Sequence, residues 1–323
     1  MMIKTILAAD IGGTNSRFAH FEVNRDKRLH LVDSQWLSTT KAQSFSHLLK
    51  QLRHSNFSLP PDKTDIAVFG VAGPVERGTY CAPPYISWDI DLKKTEGIDG
   101  FSQIHLINDF VAQAYGCRSP IGQSASNILP GKIVPDATIG VLGAGTALGK
   151  AFLVPLQDKK FLAFPSEGGH ASFPFNSEKE IAFQEFYKEK SGQECITGNL
   201  VVSGRGLRYI HWFLTGEELE PKEVAARFTP DCQTLSWAAR FYGRACRNFA
   251  LEVLAQGGLY VAGGVAARNP ELLAHKNFQT EFRDSSTMQH ILTELPVFLM
   301  DNQDSGLWGA AFYGAQILQQ EGR

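Results

Sequence analysis

Two stretches of this chain follow one local design, and a chain that carries it twice is constrained to fold as two related halves. Ile6 to Ala19 runs as an apolar strand, a glycine turn with a threonine (Gly12-Gly13-Thr14) and a second apolar strand. Thr138 to Val154 does the same around Gly143-Ala144-Gly145-Thr146. Glycines in such turns let backbone N–H groups come close to an anion, and a threonine hydroxyl adds a donor. A duplicated grip of this kind suits the two ends of one triphosphate tail.

Other glycine-rich readings fit less well. A Walker A loop needs G-x-x-x-x-G-K-[ST]. Counting from Gly149-Lys150, the chain has Ala144 in place of the first glycine and Ala151 in place of Ser or Thr. A dinucleotide fingerprint needs G-x-G-x-x-G between a strand and a helix. Gly143, Gly145 and Gly149 are spaced too widely, and Ala151-Phe152-Leu153-Val154 continues as a strand. The plain alternative is a pair of ordinary glycine-turn hairpins. The matching threonines, and Asp10 leading the first turn, weigh against it.

Alternation along the chain supports an α/β architecture. Lys4 to Ala9, Ser16 to Val23 and His30 to Trp36 read as successive strands, Ser44 to Arg53 as a helix and Asp65 to Val71 as a buried strand. Gln103 to Ile107 is a strand feeding a helix over Asp109 to Tyr115, stopped by Gly116. The order restarts with strands at Ile139 to Leu142, Lys150 to Pro155 and Phe161 to Phe164. Helices follow over Glu178 to Lys190, Gly204 to Leu214 and Asp231 to Ala255, then a strand over Gly258 to Ala262. The restart predicts an internal duplication visible in pattern rather than identity. Ser305 to Gln320 is a helix rich in small residues, suited to close packing and to a return to the first domain. The expected domains are 1–117 with 305–323, and 118–304, with Asn56 to Lys63 and Cys117 to Pro135 as loops.

At 323 residues, two domains are the natural expectation. A net charge of -2 leaves no basic footprint for nucleic acid. Apolar runs are too short to span a membrane, and Met1-Met2-Ile3-Lys4 does not resemble a signal peptide. Five scattered cysteines without C-x-x-C spacing argue against a disulfide framework or structural zinc, so a cytoplasmic protein is expected.

Four groups of residues could carry chemistry. Asp10 beside a phosphate cradle would be repelled unless a cation intervened, which suits a water-mediated Mg2+; an Asx turn is the alternative. Asn108-Asp109 closes a strand and opens a helix, where both residue types are good caps. It is also where ligands bind in α/β sheets, and an aspartate kept ionised by a helix start can serve as a general base. Capping and catalysis can coexist there. Glu167-Gly168-Gly169-His170 has E-x-x-H spacing, but two glycines disfavour the helix that a di-metal site needs. A loop offering a carboxylate and an imidazole suits a polyhydroxyl ligand; an exposed turn is the alternative. Gly263-Gly264 after a strand lets backbone lie against a flat base or ribose, though such junctions are common.

Taken in order, Asp10-Ile11-Gly12-Gly13-Thr14-Asn15-Ser16-Arg17, Leu106-Ile107-Asn108-Asp109-Phe110, Gly143-Ala144-Gly145-Thr146, Ser166-Glu167-Gly168-Gly169-His170, Val202-Ser203-Gly204-Arg205-Gly206-Leu207 and Val261-Ala262-Gly263-Gly264 resemble the motifs of bacterial glucokinases, in the hexokinase/actin-like ATPase superfamily. The resemblance covers nearly the whole chain and implies two ribonuclease-H-like domains with an interdomain cleft for ATP and sugar. It implies phosphates held by Ala9 to Thr14 and by Gly143, Gly145 and Thr146, Mg2+ placed through water by Asp10, and Gly263 and Gly264 near the adenosine. Asp109 would be the base for a sugar 6-hydroxyl, with Asn108, Glu167 and His170 on ring hydroxyls. The implied substrate is a hexose such as glucose, and a homodimer is one assembly it allows. The cysteine-rich zinc motif of repressor-type sugar kinases is absent.

Three positions depart from that pattern. Asn199 stands where a sugar-binding glutamate is usual, Ala147 replaces a glycine, and Ala82-Pro83-Pro84-Tyr85 replaces a Thr-Asn pair before Trp88. Two of these touch the sugar side, so the donor, ATP, is better specified than the sugar. They motivate the rival of a non-catalytic sugar sensor, against which Asp10, Asp109 and both turns stand intact. A dehydrogenase built on Gly143 to Gly149 would instead bind a nicotinamide.

Overall fold

In the computed structural model, residues 3–24, 26, 28–60, 63–95 and 100–321 are described. Met1-Met2, Pro61-Asp62 of the expected 56–63 loop and the last two residues lie outside them. The chain divides into two compact units, Met1–Ser124 with Asn302–Arg323, and Ala125–Asp301.

The first unit opens with β1 (Lys4–Ile11), β2 (Asn15–Val23) and β3 (Leu29–Ser38), followed by α1 (Phe45–Arg53) and β4 (Ile66–Val71). A small hairpin of β5 (Tyr80–Cys81) and β6 (Ile90–Asp91) precedes β7 (Ile104–Asn108), α2 (Asp109–Gly116) and the short α3 (Pro120–Gln123). The sheet order is β3-β2-β1-β4-β7. The first three strands are antiparallel neighbours, and β1, β4 and β7 run parallel. Parallel strands buried on both faces read as continuous apolar runs. β4, Ile66–Val71, is such a run and is buried throughout. Ser44 caps α1 by accepting the His47 N–H at 3.1 Å, which sets the helix start.

The second unit comprises β8 (Ser126–Leu129), β9 (Ile139–Ala144), β10 (Leu148–Pro155), β11 (Phe161–Ser166), α4 (Glu178–Ser191), α5 (Gly198–Val201), α6 (Gly204–Thr215), α7 (Pro221–Ala225), α8 (Gln233–Glu252), β12 (Leu259–Ala262), α9 (Gly264–Arg268), α10 (Glu271–Ala274), α11 (Lys276–Arg283), α12 (Gln289–Glu294) and β13 (Val297–Leu299). Its sheet order is β11-β10-β9-β12-β13-β8. Strand directions repeat those of the first sheet: two antiparallel steps, then two parallel ones from β9 to β12 and β13. The duplication is therefore present in topology as well as in pattern. The chain then returns to the first unit as α13 (Ser305–Glu321).

α13 lies against α2 closely enough that glycine is required at the crossing. A Cβ on Gly309 would come 1.7 Å from the Ala112 carbonyl oxygen, and one on Gly116 would come 2.6 Å from that of Ser305. The small-residue stripe thus has a partner: backbone meets backbone.

Some expectations need correction. The stretch from Cys117 to Pro135 is not one loop, because it holds α3 and the edge strand β8. The long helix is shorter than 231–255, since Cys232 caps its start and the chain leaves helical geometry at Val253. β13 and the helices between β12 and β13 had no clear sequence signal; these segments are short, and tertiary packing decides their conformation. The units part at 124/125 and 301/302, within a few residues of the expected boundaries at 117/118 and 304/305.

Candidate active site

In the first unit the glycine–threonine segment is the tip of the β1–β2 hairpin. Gly12 N–H donates to the Asn15 carbonyl at 3.1 Å and closes the turn, leaving Thr14 exposed. Gly13 must be glycine here, because a Cβ would meet the Tyr85 Cβ at 2.9 Å. Tyr85 therefore lies against the turn, and Pro83 and Pro84 before it pack on Gly73, whose φ is +131°. Ala9, Asp10 and Ile11 end β1 with Ala9 and Ile11 buried and Asp10 partly exposed.

Asp10 is not alone. The hairpin register pairs it with Arg17, whose Nη2 donates to Asp10 Oδ2 at 3.0 Å. Nη1 of Arg17 donates to Asp304 Oδ1 at 2.7 Å, and Nη2 also donates to the Gln303 carbonyl. The guanidinium lies 4.7 Å from the centre of the Trp36 ring. Neither Arg17 nor Asp304 stood out in the sequence as functional. A signal existed: pairing Ile11 with Ser16 across the turn puts residue 10 opposite residue 17.

Asn108 and Asp109 form the junction between β7 and α2. Asn108 Oδ1 accepts from the Phe110 and Val111 N–H groups at 2.9 and 3.2 Å, and its Nδ2 donates to the Gly73 carbonyl at 2.9 Å. Three of its four hydrogen-bonding positions are thus committed, and one amide N–H remains for a ligand. Asn108 is the cap; Asp109, the first helical residue, accepts from Phe110 N–H at 2.9 Å. The cap and the candidate base are therefore adjacent residues that share the Phe110 N–H, while Asn108 alone takes Val111 N–H. The Asp109 carboxylate is near enough to Cys81 to act on it: burial first, then the charge of Asp109, pushes that thiol up to about 11. Thiolate chemistry at Cys81 is thereby suppressed.

In the second unit, the β9–β10 hairpin carries the matching turn. Gly145 N–H donates to the Ala147 carbonyl at 2.9 Å, and the Gly145 carbonyl accepts from Gly204 N–H at 3.1 Å. Thr146 is again the exposed residue of the turn, and the space beside Gly145 is open. Gly143 and Ala144 are buried in β9. Gly263 has φ +85°, and a Cβ there would come 2.6 Å from the Ala144 carbonyl oxygen. Gly263-Gly264, the Gly145-Thr146 turn and the start of α6 therefore meet backbone to backbone.

The Glu167–His170 loop follows β11 as a single 3-10 turn over Gly168–His170. His170 Nε2 lies 3.7 Å from Glu167 Oε2, with both side chains mostly exposed. Gly169 admits no side chain: a Cβ would come 2.1 Å from the Leu148 carbonyl oxygen and 2.3 Å from Asn199 Oδ1. Asn199 Oδ1 in turn accepts Leu148 N–H at 2.8 Å. Asn199, at the position of the usual sugar-binding glutamate, thus bonds the glycine–threonine hairpin and packs on the Glu167–His170 loop, and its Nδ2 remains as a donor. Among the described residues, no group of three or more His, Cys, Asp or Glu side chains is placed to hold a metal ion. No described helix is long and apolar enough to cross a membrane.

Comparison with known proteins identifies the family. A family model described as Glucokinase matches residues 7–317. A glucokinase of Nostoc sp. is 31% identical, across 97% of this chain and 99% of its own length. The crystal structure of a glucokinase from an Antarctic psychrotroph is similar with a TM-score of 0.79 at 25% identity, covering 96% of this chain and 98% of that one. A glucokinase from Balamuthia mandrillaris, solved in complex with glucose, also has a TM-score of 0.79, at 21% identity and covering 97% and 94% of the two chains.

Proposed function

The chain belongs to the glucokinase family, and from that premise we propose that Asp109 is the general base of its ATP-dependent phosphorylation of glucose, acting at the 6-hydroxyl. The activity is that of the family: a phosphoryl group passes from ATP to glucose. The observation carrying the assignment is the junction at residues 108 and 109. Asn108 does the capping, so the Asp109 carboxylate sits in the first turn of α2 without being needed as the cap. The helix start favours its anionic form, which is the form that accepts a proton.

In this reading the 6-hydroxyl gives its proton to Asp109 as its oxygen bonds to the γ-phosphorus, and the bond from that phosphorus to the ADP oxygen breaks. Transfer of this kind depends on positioning and charge stabilisation more than on covalent chemistry. The Gly12-Gly13-Thr14 and Gly145-Thr146 turns supply backbone and hydroxyl donors for phosphate oxygens. Gly263 and Gly264 give the nucleoside a side-chain-free surface. Glu167, His170 and the remaining N–H of Asn108 are assigned to ring hydroxyls.

Asn199 is assigned to the same sugar through Nδ2. A carboxylate at this position can only accept from a hydroxyl, whereas the Asn199 amide also has Nδ2 to donate, with one acceptor position of its oxygen already serving Leu148. Glucose hydroxyls can play either part, so the exchange changes the direction of one hydrogen bond rather than removing it.

Mg2+ fits Asp10 through water. One carboxylate oxygen faces Arg17 and the other has no partner among the described residues. In this reading the ion is held mainly by the ATP phosphates, whose charge it would neutralise. A cytoplasmic setting belongs to the same reading, since the cysteines among the described residues are all free thiols.

The test is Asp109→Asn in an assay that couples ADP release to glucose. The expected loss is about 10²- to 10⁴-fold in kcat, the usual worth of a general base, with the KM for ATP little changed. Turnover near that of the parent would remove Asp109 as the base.

A further inference from the structure

Arg17 is 8% exposed, and its side chain meets three acceptors and one aromatic ring. Such a guanidinium is poorly placed to meet a phosphate itself. Three of its five N–H donors are committed, and Trp36 lies 4.7 Å from its centre. What it touches is more informative. On one side is Asp10, at the end of β1; on the other are Gln303 and Asp304, immediately before α13.

α13 itself approaches Asp10. Residue 306, in its first turn, is glycine, and a Cβ there would lie 3.8 Å from both Cγ and Oδ2 of Asp10. The N-terminal end of a long helix carries partial positive charge, which favours a nearby carboxylate. The same turn reaches the helix that carries the candidate base: Ser305 Oγ donates to Gln113 Oε1, on α2, at 2.6 Å.

Resting on the reading that Asp10 faces the MgATP phosphates through water, we propose that Arg17 is its positioning residue. The guanidinium holds Oδ2 of Asp10 and anchors it to the start of α13, so that Oδ1 is left facing a water of the metal. A carboxylate free to rotate would share two oxygens among several orientations, and the water contact would be made only part of the time. Arginine suits the task because its planar fork can serve several acceptors at once; lysine offers a single point charge. The guanidinium charge also partly cancels the field of the Asp10 carboxylate, which limits how strongly Asp10 can draw Mg2+ by itself. The proposed role is therefore orientation rather than added charge.

The test separates this from a purely structural role. Binding of MgATP, of ATP in excess EDTA, and of glucose is measured by calorimetry on Arg17→Lys and the parent. Arg17→Lys keeps the charge but cannot hold Asp10, Asp304 and Gln303 together. The expected result is MgATP binding weakened about tenfold, the worth of one charge-assisted hydrogen bond, with metal-free ATP and glucose within about twofold of the parent. An unchanged ratio of MgATP to metal-free ATP affinity would overturn the proposal, as would an equal loss for all three ligands.

If Arg17→Lys does not fold, Asp304→Asn serves, because Asp304 is half exposed and its removal cuts only the second tether. It should weaken MgATP selectively by about threefold, a fraction of the hydrogen-bond energy above. No selective loss there overturns the anchoring role. A separate outcome bears on the underlying reading: if Asp10→Asn leaves the ratio of MgATP to metal-free ATP affinity intact, the water contact at Asp10 is wrong, whatever Arg17 does.

Discussion

Asn199 offers a sharp test of how this chain maintains its substrate sites. Its Oδ1 accepts the N–H of Leu148, a residue only 4% exposed at the start of β10. Asn199→Ala leaves that N–H in a buried setting without its acceptor. An unmet buried donor costs about 1–3 kcal/mol, more than the net gain from an ordinary hydrogen bond. For a unit of this length, each kcal/mol moves Tm by about 2–4 °C, so a mid-range loss lowers the melting temperature by about 4–8 °C. Asn199→Asp keeps an oxygen in reach of Leu148 and should lose less than half of that. Thermal melting by circular dichroism reads the stability; initial rates against glucose read the site. Asn199→Ala should also raise the KM for glucose, because Nδ2 is removed and the Gly169 loop loses its neighbour. Melting of Asn199→Ala within about 1 °C of the parent would show that Leu148 finds another acceptor, and the bracing role would fall.

Two further outcomes follow from the packing. Burial pushes the Glu180 carboxyl up, but hydrogen bonds from Arg244 and the Asn176 N–H, with the charge of Arg240, outweigh it and hold the group below its ordinary value. A carboxyl lowered by folding contributes stability that is complete above the ordinary carboxylate range and is lost as pH falls toward the folded value. Urea midpoints measured from pH 7 downward should therefore fall as the carboxylate range is entered, and Glu180→Gln should flatten that dependence. Gly309→Ala places a Cβ 1.7 Å from the Ala112 carbonyl oxygen, so α13 and α2 must separate; a loss of about 1–3 kcal/mol, typical of overpacking, is expected in denaturant melts.

Much of the candidate site's local conformation was legible because its signals are local. Glycine next to threonine at a strand end is a turn wherever it occurs, and the hairpin register follows from where the turn sits. Asn108-Asp109 announced a strand-to-helix junction by residue type alone, and the structure makes Asn108 the cap and the partly buried Asp109 the first helical residue. Glu167 and His170 were correctly placed on a loop, because two glycines oppose a regular helix. Short elements such as α3, β8 and β13 were missed, since a few residues carry too little periodicity to compete with packing.

The residues alone determined the two-fold repetition of strand, turn and strand, and the side chains that stand at strand ends. They did so because period and turn chemistry act over a handful of neighbours. Partner choice was decided elsewhere. Arg17 finds Asp304 across 287 positions, and Asn199 meets Leu148 across 51. Such pairings depend on how the sheet turns and where α13 comes back, and only the packed chain brings donors and acceptors of distant segments within hydrogen-bonding distance.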